Sequence, residues 1–176
     1  MIKLKNKAQI AVMKEAGRIT GEAILAAREV IKEGVTTKHV DDVIRHYIEK
    51  CGAKPTFLGY GGFPGSACIS VNDEVIHGIP SSTTVLKEGD VVKIDVGATY
   101  RGFVGDSANT FGVGRISPEA QALIDTTRES FYAGAAMFIE NNRLGDIGHA
   151  VQQLAESRGC GVIREYVGHG VGTELH

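Results

Sequence analysis

Two aspartates carry the first chemical signal in the chain. They lie in VVKIDVGATYRGFVGDSANTF, residues 91–111, which reads as an alternating strand, a reversal at Tyr100-Arg101-Gly102 and a returning strand. A hairpin centred between Tyr100 and Arg101 sets Asp95 directly opposite Asp106 on one face, with Cβ atoms about 4.5–5.5 Å apart. Two carboxylates that close repel by roughly 3 kcal/mol at an effective dielectric near 20. A shared proton, a lysine or arginine from elsewhere, or a divalent cation can offset the repulsion, and only the cation turns it into ligation. The second signal is Gly168-His169-Gly170-Val171-Gly172, where the glycines let a ligand or another backbone approach the imidazole. Neutral imidazole is a common ligand for transition-metal dications, and the alternative is a turn in which His169 merely tolerates an unusual φ. Together Asp95, Asp106 and His169 form an N,O donor set without thiolate, which suits a catalytic rather than a structural zinc-type site. His77 and His176 remain as unligated groups for proton handling or hydrogen bonding.

These residues need a scaffold, and hydrophobic periodicity supplies one. Val12, Ala16, Ile19, Ala23, Ala27 and Val30 recur at helical steps and predict a long amphipathic helix closed by Gly34. A second helix starts at Thr37 as N-cap, with Val40, Val43, Ile44, Tyr47 and Ile48 on one face and Gly52 as terminator; His39 and His46 belong to its surface. The next stretch, PTFLGYGGFPGSACISVNDEVIHGIPSS, reads as loop, strand and turn, with Tyr60, Phe63 and Pro64 hung on a glycine-rich backbone. Within it Ala67–Val71 is a strand and Val75-Ile76 a short strand that ends at His77. Beyond the hairpin, Ser117-Pro118 starts a third helix, whose stripe is Ala120, Leu123, Ile124, Thr127, Phe131, Ala135 and Phe138. Asn141-Asn142 breaks it. A fourth helix carries Ile147, Val151, Leu154 and Ala155 and ends at Gly159, and a short strand begins at Val162.

Composition excludes several classes. With 176 residues, 43% hydrophobic and 23% charged, the chain has room for one domain with a substantial core. A net charge of −2 gives no argument for nucleic acid or an anionic membrane. No apolar run approaches the roughly 20 residues of a membrane span, and the charged start MIKLKNKAQIAVMKEAG does not read as a signal peptide. Cys51, Cys68 and Cys160, unpaired in spacing, point to reduced thiols in a cytoplasmic protein.

The helix order repeats. A shift of 107 lays Ile24 on Phe131, Val30 on Met137, Val40 on Ile147, Ile44 on Val151, Tyr47 on Leu154 and Gly52 on Gly159. The pattern implies an internal duplication, with a first half-repeat at about 1–114 and a second from about 115 that stops at 176 before its own hairpin.

Three segments in this order, NDEVIHGIP (72–80), KIDVGATYRGFVGD (93–106) and REYVGHGVGTELH (164–176), together with the doubled helix arrangement, strongly resemble the type I methionine aminopeptidases of the short bacterial kind. The resemblance spans essentially the whole chain. It implies an α+β pita-bread fold with a pseudo-twofold repeat, its second half incomplete, forming a single catalytic domain over 1–176.

The resemblance also implies a function: metal-dependent removal of the initiator methionine from nascent proteins with a small second residue, by attack of metal-activated water. Asp95 would chelate one of two divalent ions (Mn, Fe, Co or Zn), Asp106 would bridge both, and His169 would complete the other. His77 would hydrogen-bond around the scissile amide and His176 would stabilise the oxyanion. Tyr60, Phe63, Cys68 and Leu175 would line the pocket for the methionine side chain, Leu175 standing where the family often has Phe. The implied partner is the N-terminal Met of a nascent polypeptide, with the ribosome as a candidate place of encounter, no membrane, no specific nucleic acid, and a monomer as the default. A related X-Pro pita-bread peptidase and a metal-free, fold-only binding protein are the alternatives. The family supplies two further glutamate ligands beyond position 176. The 176-residue chain is therefore expected to bind metals weakly and to show little or no peptidase activity; normal turnover by the purified chain overturns that expectation.

Overall fold

The protein is described here by a computed structural model over residues 3–176. It contains two compact units, one comprising the residues up to Ile116 together with His169–His176, the other Ser117–Gly168.

The first unit opens with helix α1, Lys7–Arg28. Its N-terminus is closed reciprocally: Asn6 Oδ1 accepts the Gln9 N–H and Gln9 Oε1 accepts the Asn6 N–H, both at 2.9 Å. The helix stops at Arg28, ahead of the terminator expected at Gly34. Helix α2 spans Thr37–Lys50 and its cap is Thr36, one residue before the cap expected from sequence, because Thr37 is buried. The Thr37 N–H and hydroxyl instead donate to the carbonyls of Thr84 and Ser81.

Four antiparallel strands follow: β1 (Lys54–Pro55), β2 (Ala67–Val71), β3 (Val91–Tyr100) and β4 (Phe103–Gly112). β3 is the centre, with β1 and β2 sharing one of its edges and β4 on the other. Alternation in β3 divides the sheet into two faces. Val92, Ile94, Val96 and Ala98 join Ile19 and Ile24 of α1 and Val40, Ile44 and Ile48 of α2 in the core. Lys93, Asp95, Gly97 and Thr99 face the other way.

The hairpin register differs from the sequence expectation. The turn residues are Arg101 and Gly102, both at positive φ (46° and 81°), and Tyr100 pairs with Phe103. A two-residue turn of this handedness matches the twist of the flanking strands. Asp95 therefore stands opposite Ala108 and Asp106 opposite Gly97, so the two aspartates are diagonal neighbours rather than a direct pair. Because the slip is two residues, both stay on one face.

Helix α1 lies hard against β4. A Cβ at Gly105 would come within 2.4 Å of the Ala16 backbone, and the Thr20 and Ser107 hydroxyls are 2.8 Å apart in a hydrogen bond between the two elements. Two short strands expected from sequence do not form. Val75 and Ile76 are exposed loop, and the stretch from Val162 is irregular, its Ile163, Tyr166 and Val167 side chains exposed rather than buried on a sheet.

The second unit pairs α3 (Pro118–Ala135), capped by the Ser117 hydroxyl, with α4 (Leu144–Ser157). The buried face of α3 is Thr126, Ser130 and Gly134, not the predicted apolar stripe, of which Leu123, Phe131 and Phe138 are 55%, 66% and 75% exposed. The reason is the crossing with α4, where a Cβ on Gly134 would meet Val151 Cγ2 at 2.7 Å, so small residues face the partner helix. The shift of 107 carries Arg28 to Ala135, Thr37 to Leu144 and Lys50 to Ser157, which are the observed ends of the corresponding helices. Among the described residues no helix is long and apolar enough to cross a membrane.

Since the α1–β4 contact leaves no room for a side chain at position 105, Gly105→Ala is expected to lower stability by roughly 1–3 kcal/mol through overpacking. Urea denaturation measures the difference, and an unchanged midpoint contradicts the close approach.

Candidate active site

The sheet face turned away from the helices forms the floor of a cavity of about 500 Å³. Cys68 of β2 pairs directly with Asp95 of β3, and Asp106 of β4 sits diagonally beyond, so strand pairing alone fixes these three. His169, Leu175 and His176 arrive on the chain segment that docks along β4, where the Val104 N–H donates to the Gly172 carbonyl at 2.8 Å. Leu175 anchors that segment by burying itself with Phe57, Cys68 and Val104, and Phe63 and Val171 pack on this cluster. Tyr60 and Phe63 sit on a loop closed by its own backbone: the Gly59 N–H donates to the Phe63 carbonyl and the Phe63 N–H to the Tyr60 carbonyl. His77 reaches the cavity from a strained backbone, φ 59°. The strain is held because Gly78 is pressed on β2, its N–H donating to Ser70 Oγ and its carbonyl accepting from the Ile69 N–H. All nine residues singled out in the sequence, Tyr60, Phe63, Cys68, His77, Asp95, Asp106, His169, Leu175 and His176, line this one cavity.

The donor groups are electrostatically unbalanced. Burial raises the Asp95 carboxyl to about 7, assisted by the Asp106 charge and a hydrogen bond between the two carboxyls; the His169 ring and the Val96 N–H act in the opposite direction. Cys68 is pushed up to about 12, first by burial and then by the charges of Asp95 and Asp106, so its thiol stays protonated. His169 Nδ1 lies 3.1 Å from the Gly170 carbonyl, an oxygen that can only accept, so Nδ1 holds the proton of that bond. In the neutral ring Nε2 then presents a lone pair to Asp106 Oδ2, 3.5 Å away. Two acceptors facing each other leave a place that a proton or a divalent cation can fill.

Sequence reasoning missed two residues of this region. Phe57 lines the cavity and fills the space above Gly97, where a Cβ would meet its ring at 2.5 Å. Asp41 of α2, 3% exposed, accepts the N–H groups of Ser66 and Ala67 at 2.7 and 3.0 Å and so fixes the start of β2. An aspartate inside an otherwise apolar helix face next to Val40 and Ile44 was the available signal.

The model of metallopeptidase family M24 matches residues 11–176. This chain belongs to that family. A methionine aminopeptidase from Clostridium acetobutylicum is 49% identical over 176 residues, which is the whole of this chain and 70% of that protein. The crystal structure of a methionine aminopeptidase from Thermotoga maritima superimposes with a TM-score of 0.97 at 44% identity, covering 100% of this chain and 71% of that one. A prolidase from Pyrococcus furiosus, at 23% identity and a TM-score of 0.86 over 98% of this chain, shares the fold. The M24 chain thus has the pita-bread fold expected from sequence.

Membership implies a divalent metal, and the donor chemistry fits one. Asp95, Asp106 and His169 offer hard oxygen and imidazole nitrogen, with the second histidine nitrogen tied to a backbone carbonyl as metal-binding imidazoles are. Among the described residues no three His, Cys, Asp or Glu side chains stand at ligand spacing.

The raised Asp95 carboxyl has a consequence for stability. Its folded-state value lies above its unfolded value, so its contribution is fully present below about pH 4 and is lost as pH rises through about 7. In chelator, wild type is expected to lose stability relative to Asp95→Asn across that window, with a slope approaching roughly 1 kcal/mol per pH unit, and to run parallel above it. Urea melts at several pH values measure the gap; parallel behaviour throughout contradicts a buried, unbalanced carboxylate pair.

Proposed function

We propose that the site of this M24 chain belongs to the removal of N-terminal methionine from nascent polypeptides whose second residue is small, in the cytoplasm and in a monomer. The observation that carries the reading is the meeting of two carboxylates and one imidazole on the floor of a cavity whose other lining is aromatic and aliphatic. Asp95, Asp106 and His169 would hold two divalent ions, and oxygen with imidazole donors suits Mn, Fe, Co or Zn. When bound, such ions supply Lewis acidity toward a carbonyl and a water.

The chain's own groups do the rest. The Gly170 carbonyl keeps His169 presenting Nε2, and Asp106, adjacent to both other donors, serves them jointly. His77 hydrogen-bonds beside the scissile amide and His176 stabilises the oxyanion. Tyr60, Phe63, Cys68 and Leu175 receive the unbranched thioether, whose sulfur gains from contact with aromatic rings. Cys68 acts there as a small apolar surface, because its thiol remains protonated. The X-Pro peptidase reading is weaker, since the likeness to a prolidase is 23% identity against 44% for a methionine aminopeptidase.

The test is a Co²⁺ titration followed by visible absorption, with methionine release from Met-Gly-Met and Leu-Gly-Met measured at saturating ion. Binding is expected to weaken by about tenfold or more in Asp106→Asn and in His169→Ala. Whatever turnover occurs is expected to take Met in preference to Leu. Titrations indistinguishable from wild type in both variants rule out this donor set.

A further inference from the structure

The cavity holds two neighbouring imidazoles with different partners. The His169 and His176 rings have centroids 4.4 Å apart and are inclined by 54°. His169 Nδ1 meets a backbone carbonyl, whereas His176 Nδ1 meets the Tyr60 hydroxyl at 3.0 Å. These two contacts have opposite requirements. A carbonyl oxygen forces its partner to donate. A phenol prefers to donate its own proton, because a phenolic O–H is far more acidic than a neutral imidazole N–H and the imidazole lone pair is the stronger base.

We propose that Tyr60 is a positioning residue that holds His176 with its proton on Nε2, so that the adjacent imidazoles of His169 and His176 are locked in opposite tautomers. His169 carries its proton on Nδ1 and offers a lone pair at Nε2. His176 accepts at Nδ1 and offers a donor at Nε2. One ring is thereby committed to cations and the other to developing negative charge, a division that two identical side chains could not make alone.

Both halves of the arrangement are built into the fold. Tyr60 is held by backbone bonds on either side, its N–H donating to the Phe57 carbonyl at 3.0 Å and its carbonyl accepting from Phe63 at 2.9 Å. His176 follows the buried Leu175, and the turn before it is closed by the Gly172 N–H on the Glu174 carbonyl at 3.1 Å. The Tyr60–His176 bond joins these two arms across the cavity. The meaning of the donor for catalysis rests on the function proposed above, but the tautomer itself does not.

The experiment is long-range ¹H–¹⁵N correlation of the histidine rings in chelator at about pH 8.5, where unperturbed imidazoles are neutral. Wild type is expected to show His176 with a pyridine-type Nδ1 and His169 with a pyridine-type Nε2. In Tyr60→Phe the His176 tautomer ratio is expected to fall roughly fivefold, the worth of one net hydrogen bond, so its two ¹⁵N shifts move toward each other while those of His169 stay. Tyr60 is more than half exposed, so the variant keeps its packing. His176 protonated on Nδ1 in wild type, or unchanged shifts in Tyr60→Phe, overturns the proposal. Because no metal and no turnover are needed, a failure of methionine release leaves this result readable.

Discussion

Two carboxylates on one face of a hairpin push each other away, and most of the first unit is arranged so that they cannot leave. The Arg101-Gly102 turn sets the register, and the register sets the diagonal from Asp95 to Asp106. On the opposite face Val92, Ile94 and Val96 are sunk into the helices, so a slip of the central strand exposes the core. The Ala16–Gly105 contact and the Thr20–Ser107 bond pin the returning strand to α1. Core packing thus offsets an electrostatic cost that the site itself incurs, which is the usual relation between a scaffold and a pre-organised binding face.

The other wall of the cavity is held differently. Its residues lie on loops, and the loops are fixed by backbone hydrogen bonds and by one buried carboxylate. Asp41 reaches from α2 to the start of β2, with Lys38 Nζ at 3.2 Å from its second oxygen. Helix α2 therefore positions the aromatic wall as well as packing on the sheet. A charged group at that depth is tolerable because both of its oxygens are satisfied.

Much of this was legible in the sequence, and the failures have physical causes. Helix ends followed from caps and glycines to within a residue or two at Thr36 and Ser117, because those signals are local. Asp95, Asp106 and His169 stand out in the sequence because carboxylate and imidazole are scarce beside glycine and strand signals, whereas Tyr60, Phe63, Cys68 and Leu175 come only from the family resemblance; the structure brings all of them to one cavity. The hairpin register differs from the expectation by two residues, one full period of the alternation, since the sequence alone does not say which two of Tyr100, Arg101 and Gly102 form the turn. The inner face of α3 departs from its apolar spacing because Gly134 allows α4 so close that small side chains occupy the contact. Asp41 and Phe57 escaped because their importance lies in partners distant in sequence, the amides of Ser66 and Ala67 and the bare backbone of Gly97.

Cys68 shows what the shared wall does to a third residue. A thiol lining an open cavity is ordinarily a liability, since thiolates react with peroxide and climb to sulfenic and higher acids. Here burial first, and then the charges of Asp95 and Asp106, push the Cys68 thiol up to about 12 and keep the sulfur protonated. The pocket is therefore lined by a protonated thiol, the less nucleophilic form of sulfur, and burial and neighbouring charge suffice to keep it so.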